Sequence, residues 1–453
     1  RMGKKPLYMG WAGNSFVFGS ELKALRAHPA FRPQVNRQAL TLYMRYGCVP
    51  APFSIYQNVW QLLPGCRVTL DLRRLKSGTD LSSLAEPYWH MPRVVEEARQ
   101  RPPPRSDAQA VDEFETILTD AVRRRMVSDV PLGAFLSGGI DSSAVVALMQ
   151  QQAAHPVKTF CIGFKEAGFD EAAYAARIAA HLGTDHHELY CGPLDALDVI
   201  PRLPDIYDEP FADISQIPTY MVSRFARKHV TVALSGDGGD EMLGGYLRHY
   251  VAPSLWRRVG WMPLVVRQTM SRGLTSLSAE RWSRLVPQQP QFGERLYKIA
   301  ELLSQDNPES VYCQLVSQWT SPERLVREGR EPLIPLLDES WQPKGLSFAE
   351  RMMYGDGLSY LPNDILTKLD RASMSVSLEA RAPLLDREVF EYVWSLPLRM
   401  KVRKGPQGRM EGKWLLRQVL ARSVPGSLFE RPKQGFTIPV GEWLRDPLKD
   451  WAE

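Results

Sequence analysis

The feature that most constrains the fold is a regular alternation of short apolar runs and amphipathic segments between residues 130 and 234. The apolar runs have strand length and cover residues 130–136, 159–164, 187–190 and 230–234. Helical spacing of apolar residues fills the gaps, at residues 143–151, 171–182 and 217–228. Strands that alternate with helices pair in parallel, so the pattern predicts an α/β domain with a doubly wound parallel sheet. Ligands of such a sheet bind beyond the carboxyl ends of its strands.

A loop rich in serine and glycine follows the first of these runs directly and opens the next helix. It reads SGGIDSS and extends from Ser137 to Ser143. Its two glycines let the backbone approach an anion, and the N–H groups at a helix start bind phosphate oxygens together with serine hydroxyls. Asp141 would repel a phosphate, so we interpret it as a ligand of Mg²⁺ that the phosphates share. A serine-capped turn without a ligand is the structural alternative.

This loop differs from the GxxxxGK[ST] phosphate loop, since no lysine follows its second glycine. It resembles the SGGxDSS loop of the ATP pyrophosphatases, which break ATP between the α and β phosphates and leave AMP on the substrate. A second loop, SGDGGDE from Ser235 to Glu241, follows the run at 230–234. Loops after neighbouring parallel strands can face one crevice, so we expect Asp240 to share Mg²⁺ with Asp141 and to neutralise the leaving pyrophosphate. A solvated acidic turn is the alternative.

Three further segments extend a resemblance to one family. They read KLDR from Lys368, EARAPLLD from Glu379 and RPKQGF from Arg431. With the two loops they resemble the glutamine-hydrolysing asparagine synthetases over most of the chain, most weakly between residues 254 and 342. The resemblance implies a ligase that makes asparagine, AMP and pyrophosphate from aspartate, ATP and the nitrogen of glutamine, through β-aspartyl-AMP. It implies ATP and Mg²⁺ as cofactors.

The resemblance also implies which residues bind ATP and the metal. They are Phe135, Leu136, Ser137, Gly138, Gly139, Asp141, Ser142, Ser143, Ile162, Ser235 and Gly236, with Asp141 and Asp240 as metal ligands. Lys433 matches the lysine that faces the reacting acyl phosphate, where a cation stabilises the growing negative charge. Asp237 matches a position that is often glutamate and is assigned a role in forming the adenylate. Because Asp237 is one methylene shorter, its role and the acceptor stay open.

Glu379 and Arg381 are candidates for binding the acceptor. Their opposite charges suit the α-amino and α-carboxylate groups of an amino acid. They could equally pair with each other, or with Asp370 and Arg371, as structural ion pairs. The sequence leaves both alternatives open.

The composition divides the chain into three parts. Residues 1–90 resemble the end of a β-rich N-terminal-nucleophile glutaminase domain, residues 91–110 are interpreted as a linker, and residues 111–453 resemble an adenylating domain with an α-rich C-terminal part. The family's glutaminase domain begins with a catalytic cysteine, and no cysteine precedes Cys48. We therefore interpret this domain as truncated and expect that these residues do not hydrolyse glutamine, whereas free ammonia can supply the nitrogen.

Bulk properties argue against several other classes of protein. The 56 basic and 51 acidic residues leave a net charge of +5 without a basic tail, and the short basic runs lack interleaved aromatics, so no nucleic-acid partner is predicted. The five cysteines include no CxxC pair, and no apolar stretch is long enough for a bilayer. These features predict a cytoplasmic protein without a membrane partner. The family resemblance implies small-molecule partners: aspartate, ATP and ammonia from glutamine. A homodimer is left open.

Two other functions are compatible with the motifs, because the motifs specify adenylation better than they specify aspartate. The first is the same chemistry on another carboxylate, such as a sugar acid or a β-lactam precursor. The second is a nucleotide-binding protein that has lost catalysis.

Overall fold

The structure is a computed structural model that describes residues 1–71, 73–164, 166, 170–286, 292–405, 408–431, 438–446 and 448–452. The elements of its first part are β1 (Tyr8–Ala12), β2 (Ser15–Gly19), α1 (Leu22–Arg26), α2 (Arg37–Tyr46), β3 (Val59–Gln61), β4 (Cys66–Arg67) and β5 (Glu86–Pro87). The strands β2, β1 and β3 form an antiparallel sheet in that order, and every residue of the central strand β1 is buried. The β-rich layer expected for residues 1–90 is therefore present.

The second part begins with a long helical and stranded segment. Its elements are α3 (Met91–Arg99), α4 (Asp107–Met126), β6 (Leu132–Phe135), α5 (Ile140–Gln152), β7 (Lys158–Phe164), α6 (Ala172–Leu182), β8 (Asp185–Cys191), α7 (Pro193–Val199), α8 (Leu203–Tyr207), α9 (Gln216–Arg227), β9 (Val232–Leu234) and α10 (Gly239–Leu243). The alternation of strands and helices predicted from the sequence is confirmed.

The remaining elements are mostly helical, as expected for an α-rich C-terminal part. They are α11 (Arg248–Val259), α12 (Leu264–Thr275), α13 (Ala279–Leu285), α14 (Phe292–Leu303), α15 (Pro308–Leu315), α16 (Phe348–Gly355), a π-helix (Asp356–Ile365), α17 (Leu366–Met374), β10 (Glu379–Arg381), α18 (Arg387–Ser395), β11 (Arg403–Lys404), β12 (Met410–Glu411), α19 (Trp414–Ala421), α20 (Gly426–Phe429), α21 (Val440–Trp443) and α22 (Lys449–Ala452).

The main sheet has the strand order β10-β9-β6-β7-β8, and each neighbouring pair is parallel. Side chains of β7 alternate between its two faces, as the pleat of a strand requires. Phe160 and Ile162 enter the core that also contains Tyr220 of α9, whereas Cys161 enters the core that contains Val145 of α5. Helices cover both faces, so the predicted doubly wound parallel sheet is confirmed.

All four strands differ at a boundary from the prediction: β7 begins one residue earlier, at Lys158, and β9 begins at Val232 rather than at residue 230. The other two strands differ at both ends. The strand predicted at residues 187–190 extends over Asp185–Cys191, because Asp185 already pairs with Lys158 in the ladder between β7 and β8. The strand predicted at residues 130–136 is shortened to Leu132–Phe135, and the preceding Val130 is exposed. Pro131 has no N–H group to donate to a ladder, which limits the strand at this end.

The segment interpreted as a linker, residues 91–110, contains a helix. α3 covers Met91–Arg99, and Val95 and Ala98 on it are fully buried in the main core. Burial of this apolar face makes the first half of the segment part of the folded body. The boundaries at residues 90 and 110 stay predictions.

The helices of the described residues can also be compared with what a membrane span requires. None of their helices combines the length and the apolar character that a bilayer span requires.

Candidate active site

Two glycine-containing loops meet at the carboxyl ends of β6 and β9. The first loop (residues 137–143) follows β6 and the second loop (residues 235–241) follows β9, and these strands are neighbours with Ala134 opposite Leu234. A Cβ atom on Gly236 would lie 2.6 Å from the backbone nitrogen of Ser142. Only glycine at this position allows so close an approach. The structure thus places the two loops directly against each other.

A single lysine side chain joins the acidic residues of the two loops. Lys413 Nζ forms an ion pair with Asp141 and lies 2.8 Å from Oδ1 of Asp240. Burial lowers the pKa of Lys413, but the two carboxylates outweigh that effect, so its pKa is raised above the ordinary value. Lys413 is therefore an ammonium held between two carboxylates, and Asp141 and Asp240 share one cleft.

The backbone around Lys413 is arranged to deliver this ammonium. Lys413 is the residue before α19 and has a left-handed backbone with φ of 60°, which is uncommon for a residue other than glycine. Its N–H group donates to the carbonyl oxygen of Leu243 at 2.8 Å, which ties the start of α19 to the end of α10. Residues held in sparsely populated backbone regions are concentrated at functional sites.

The first loop presents the donors expected of an anion site. Gly138 has φ of 71°, and α5 begins two residues later, at Ile140. The Ser137 and Ser142 hydroxyl oxygens lie 3.1 Å apart. In the described part of the chain the buried Ser143 hydroxyl has no hydrogen-bond partner. Helix N–H groups and such hydroxyls together can bind phosphate oxygens.

A second cation approaches the first loop from the C-terminal part. Arg431 donates to Oε1 of Glu171 at 2.9 Å and to the Ser137 carbonyl oxygen at 3.4 Å, and its guanidinium lies 4.2 Å from the ring centre of Tyr174. Burial raises the pKa of Glu171 to about 7, although the Arg431 charge opposes this. Lys433, predicted to be catalytic, lies outside the described residues, so only the start of its motif is placed beside the loop.

The predicted residues that border adenine are less accessible than the loop. Leu136 and Ile162 are each 1% exposed and lie in the cores on the two faces of the sheet. Phe135 is partly buried against the core that contains Ile162. These three side chains are therefore part of the packed cores next to the loops.

For Glu379 and Arg381 the structure shows the ion pair rather than an acceptor site. The Arg381 Nε atom donates to Oε1 of Glu379 at 2.8 Å. The same guanidinium donates to the carbonyl oxygens of Arg125 and Val127 at 2.9 and 2.8 Å. Those two residues precede β6, whereas the first loop follows it. The charges of Glu379 and Arg381 therefore compensate each other, and the remaining guanidinium donors are used by two backbone carbonyl groups.

Asp141 and Asp240 fit a Mg²⁺ ion that is shared with a nucleotide. Their carboxylates converge on one cation in the structure, the Lys413 ammonium, and they supply the hard oxygens that Mg²⁺ prefers. Among the described residues, no group of three or more His, Cys, Asp or Glu side chains could hold a metal by itself. Two carboxylates completed by substrate phosphates are a common arrangement for Mg²⁺.

Comparison with protein families places this site in a known context. Residues 113–453 match the family model described as asparagine synthase, and residues 1–89 match the glutamine amidotransferase domain. The chain belongs to the asparagine synthase family. The resemblance inferred from the motifs is thereby confirmed.

Curated relatives within the asparagine synthase family match most of this chain. Asparagine synthetase [glutamine-hydrolyzing] 1 of Bacillus subtilis is 31% identical over 99% of this chain and 66% of its own length. Putative asparagine synthetase [glutamine-hydrolyzing] 2 of Methanocaldococcus jannaschii is 35% identical over 83% of this chain and 68% of its own length. A putative asparagine synthetase [glutamine-hydrolyzing] of Mycobacterium bovis is 32% identical over 99% of this chain and 66% of its own length. The chain spans about two thirds of the length of these relatives.

Two residues of this cleft, Lys413 and Arg431, are not among the site residues predicted from the sequence. Lys413 had one available signal, a Gly-Lys pair directly before an amphipathic helix at Trp414–Ala421. Arg431 stood inside a motif that was noticed for Lys433 alone. In both cases the partner carboxylate is distant in sequence, so only the fold reveals the ion pair.

Proposed function

We propose that the chain activates a carboxylate with ATP and then converts the acyl-adenylate to an amide with ammonia, with aspartate as the acceptor. The observation that carries this proposal is the Lys413 ammonium, which joins Asp141 of the first loop to Asp240 of the second. A cleft with these charges at the carboxyl ends of parallel strands suits a nucleoside triphosphate. Membership of the asparagine synthase family and the names of the relatives support aspartate as the acceptor.

In the first step an oxygen of the acceptor carboxylate attacks the α-phosphorus of ATP. The bond from that phosphorus to the bridging oxygen breaks, and pyrophosphate leaves with the electron pair. The N–H groups at the start of α5 and the Ser143 hydroxyl hold the phosphates. Asp141 and Asp240 would hold Mg²⁺, which neutralises charge on the pyrophosphate. Lys413 adds a fixed positive charge at the same place.

In the second step ammonia attacks the acyl carbon, and AMP leaves from the tetrahedral centre. Lys433 is the proposed cation for this step, because negative charge grows on the α-phosphate and the adjacent oxygen. Arg431 supports this role, since its contacts bring the beginning of the same motif to the first loop. Glutamine is the proposed source of ammonia, in keeping with the match of residues 1–89 to a glutamine amidotransferase domain.

Another acceptor carboxylate is the second candidate, and Asp237 favours it. This residue follows Gly236, which contacts the first loop, yet its side chain is shorter than the glutamate often found there. A shorter acid leaves room for a differently shaped acceptor.

Pyrophosphate release with a panel of carboxylates tests the proposal. The assay contains ATP, Mg²⁺ and ammonia, so that it does not depend on glutamine hydrolysis, and compares aspartate with glutamate and glucuronate. We expect pyrophosphate, AMP and asparagine in equal amounts with aspartate alone. Equal release with every carboxylate, or formation of ADP and inorganic phosphate, contradicts the proposal.

A variant pair links that activity to the cleft. Asp141→Asn removes one carboxylate from the proposed metal site and is expected to lower pyrophosphate release by about 100-fold. Asp198→Asn, on the exposed side of α7, is the matched control and should leave release unchanged. Equal activities of the two variants would remove Asp141 from the mechanism.

A further inference from the structure

A second buried lysine lies close to the second loop, in addition to Lys413. Lys368 on α17 is 8% exposed, and its Nζ atom lies 2.6 Å from Oδ2 of Asp213 and 3.9 Å from Oδ1 of Asp364. We call these three side chains the Lys368 cluster. The family resemblance assigned none of them a role.

The backbone fixes the cluster from two directions. Asp364 lies near the end of the π-helix Asp356–Ile365 and Lys368 lies four residues later on α17, a spacing that places both on one helix face. π-helical turns often occur at functional sites. Asp213 comes from the segment before α9, where its Oδ1 accepts hydrogen bonds from the Ser215 N–H and hydroxyl groups at 2.6 and 2.5 Å. The positions of the charges are therefore set before any ligand binds.

The cluster has polar capacity that its own members do not use. Lysine has three N–H donors, and at 3.9 Å Asp364 is beyond hydrogen-bond distance, so Asp213 takes one donor. In the described part of the chain Oδ1 of Asp364, a residue only 6% exposed, has no hydrogen-bond partner. Burial raises the pKa of Asp364 well above its ordinary value, with a further contribution from Asp213. A cation that comes close to such a buried carboxyl group stabilises its ionised form.

The cluster adjoins the acid of the second loop. Burial raises the pKa of Asp237, and the positive charge of Lys368 opposes this effect. The Asp237 carboxylate in turn raises the pKa of Lys368. Asp237 is three residues before Asp240 in the same loop, where the triphosphate is proposed to bind. A small molecule held by the cluster would therefore lie next to the phosphates.

We propose that the Lys368 cluster binds the amino-acid end of the acceptor, with Lys368 binding its α-carboxylate and Asp364 accepting a hydrogen bond from its α-ammonium. This inference rests on the proposed function, in which the acceptor is aspartate. A zwitterion brings one charge of each sign, so it satisfies Lys368 and Asp364 without adding net charge to a buried site. The second carboxylate of the acceptor then points to the α-phosphate.

Kinetics of the full chain with Lys368→Met test the inference. We expect KM for aspartate to rise by about 10- to 100-fold, as for loss of a charged hydrogen-bond partner, while KM for ATP stays within about twofold. Lys401→Met is the matched control, because Lys401 is another buried lysine, and its Nζ atom lies 4.5 Å from the ring centre of Trp394 rather than beside a loop carboxylate. It should leave both KM values unchanged.

Two analogues report on the individual charges. Wild-type protein should discriminate against the α-amide of aspartate and against succinate, which lack the α-carboxylate and the α-ammonium. Lys368→Met should lose the first discrimination and Asp364→Asn the second. Should Lys368→Met fail to fold, Lys368→Arg keeps the charge and should retain preference for the α-carboxylate with a raised KM.

The outcomes separate this inference from the proposed function. If wild-type protein releases pyrophosphate with aspartate and Lys368→Met changes neither KM nor the discrimination, the inference is wrong and the proposed function stands. If the two KM values rise together, the lysine has a structural role and the inference is again wrong. If wild-type protein uses only carboxylates that lack an α-amino group, both fail.

Discussion

At the residue scale, the Lys413 side chain determines whether Asp141 and Asp240 can lie together without a metal. Two carboxylates that share one small cleft repel each other unless a cation lies between them. In this structure the ammonium of Lys413 performs that task. Under the proposed function the same ammonium also binds phosphates, so we expect one residue to govern both the stability of the cleft and its affinity for ATP.

Replacing Lys413 by Met should therefore have two effects. Pyrophosphate release should fall by about 100-fold, because a fixed charge beside the leaving group is lost. The melting temperature without Mg²⁺ should also fall, and added Mg²⁺ should restore more of it in Lys413→Met than in wild type, because the two carboxylates then bind the metal without competition. Differential scanning fluorimetry with and without Mg²⁺ measures this. Equal Mg²⁺ responses in both proteins would contradict the assignment.

A second residue, Lys401, is expected to make the stability of the folded chain depend on pH. It is fully buried, and burial lowers its pKa from 10.5 to about 8, although Glu350 opposes this. Below pH 8 the lysine is charged in both the folded and the unfolded chain, so the full cost of burying the charge, about 3 kcal/mol, is present. As pH rises from about 8 to 10.5 the folded form loses the proton first and the cost disappears.

Lys401→Met should accordingly be more stable than wild type at pH 7, by about 1–3 kcal/mol, with the difference shrinking above pH 8. Urea unfolding at pH 7 and at pH 9.5 measures the effect. A difference that is constant or grows with pH would show that the charge is not the cause.

At the scale of elements, the contact between the two loops is the critical feature. It depends on the parallel pairing of β6 with β9 and on the absence of a side chain at Gly236. The sequence predicts this contact in outline, because loops after neighbouring strands share an edge. It does not predict that β8 begins at Asp185 or that a helix occupies Met91–Arg99, since both depend on burial against distant elements.

Gly236→Ala tests the loop contact. The added Cβ would lie 2.6 Å from the Ser142 nitrogen and 2.8 Å from the Asp141 carbonyl carbon, so the loops must separate. We expect KM for ATP to rise and pyrophosphate release to fall by about 100-fold, because a misplacement of this size is costly to catalysis. Gly273→Ala on α12, where a Cβ meets nothing within 4 Å, is the control and should be neutral or slightly stabilising. Full activity in Gly236→Ala would refute the close approach.

At the scale of the whole molecule, buried polar contacts join the first part to the sheet domain. Glu209 accepts hydrogen bonds from the Tyr8 hydroxyl at 2.8 Å and from the Ile55 N–H at 3.0 Å. Lys23 and Glu21 add ion pairs to Asp208 and Arg371. The two parts should therefore unfold together. A cytoplasmic location and a homodimer stay predictions.

Glu209→Ala should weaken the contact between the first part and the sheet domain. It leaves two buried donors, of Tyr8 and Ile55, without an acceptor, which costs about 2–5 kcal/mol. Calorimetry should show a lower melting temperature and a first part that separates as its own transition. Glu328→Ala, at an exposed ion pair with Arg37, is the control and should change stability by less than about 1 kcal/mol. Equal melting curves for the two variants would contradict this account.

The fold class and the two loops are predicted from the sequence more completely than the rest of the site. Asp141 and Asp240 follow strands whose pairing is predictable, so their meeting could be expected. Lys413 is held between them with a left-handed backbone, and Asp364 of the Lys368 cluster lies on a π-helix. Neither feature has a local signature in the sequence strong enough to reveal it. For Glu379 and Arg381 the sequence leaves an acceptor site and a structural ion pair equally open, because a sequence does not show which charged groups are in contact; the structure shows the ion pair.

The most direct test of the central claim is an isotope measurement on the full chain. Aspartate labelled with ¹⁸O in its β-carboxylate is incubated with ATP, Mg²⁺ and ammonia, and the nucleotide and phosphate products are analysed by mass spectrometry. Attack of the carboxylate on the α-phosphate in the Asp141–Asp240 cleft predicts one ¹⁸O atom in AMP and none in pyrophosphate. Label in inorganic phosphate, with ADP as the nucleotide, would show that the γ-phosphate is attacked and would contradict the account.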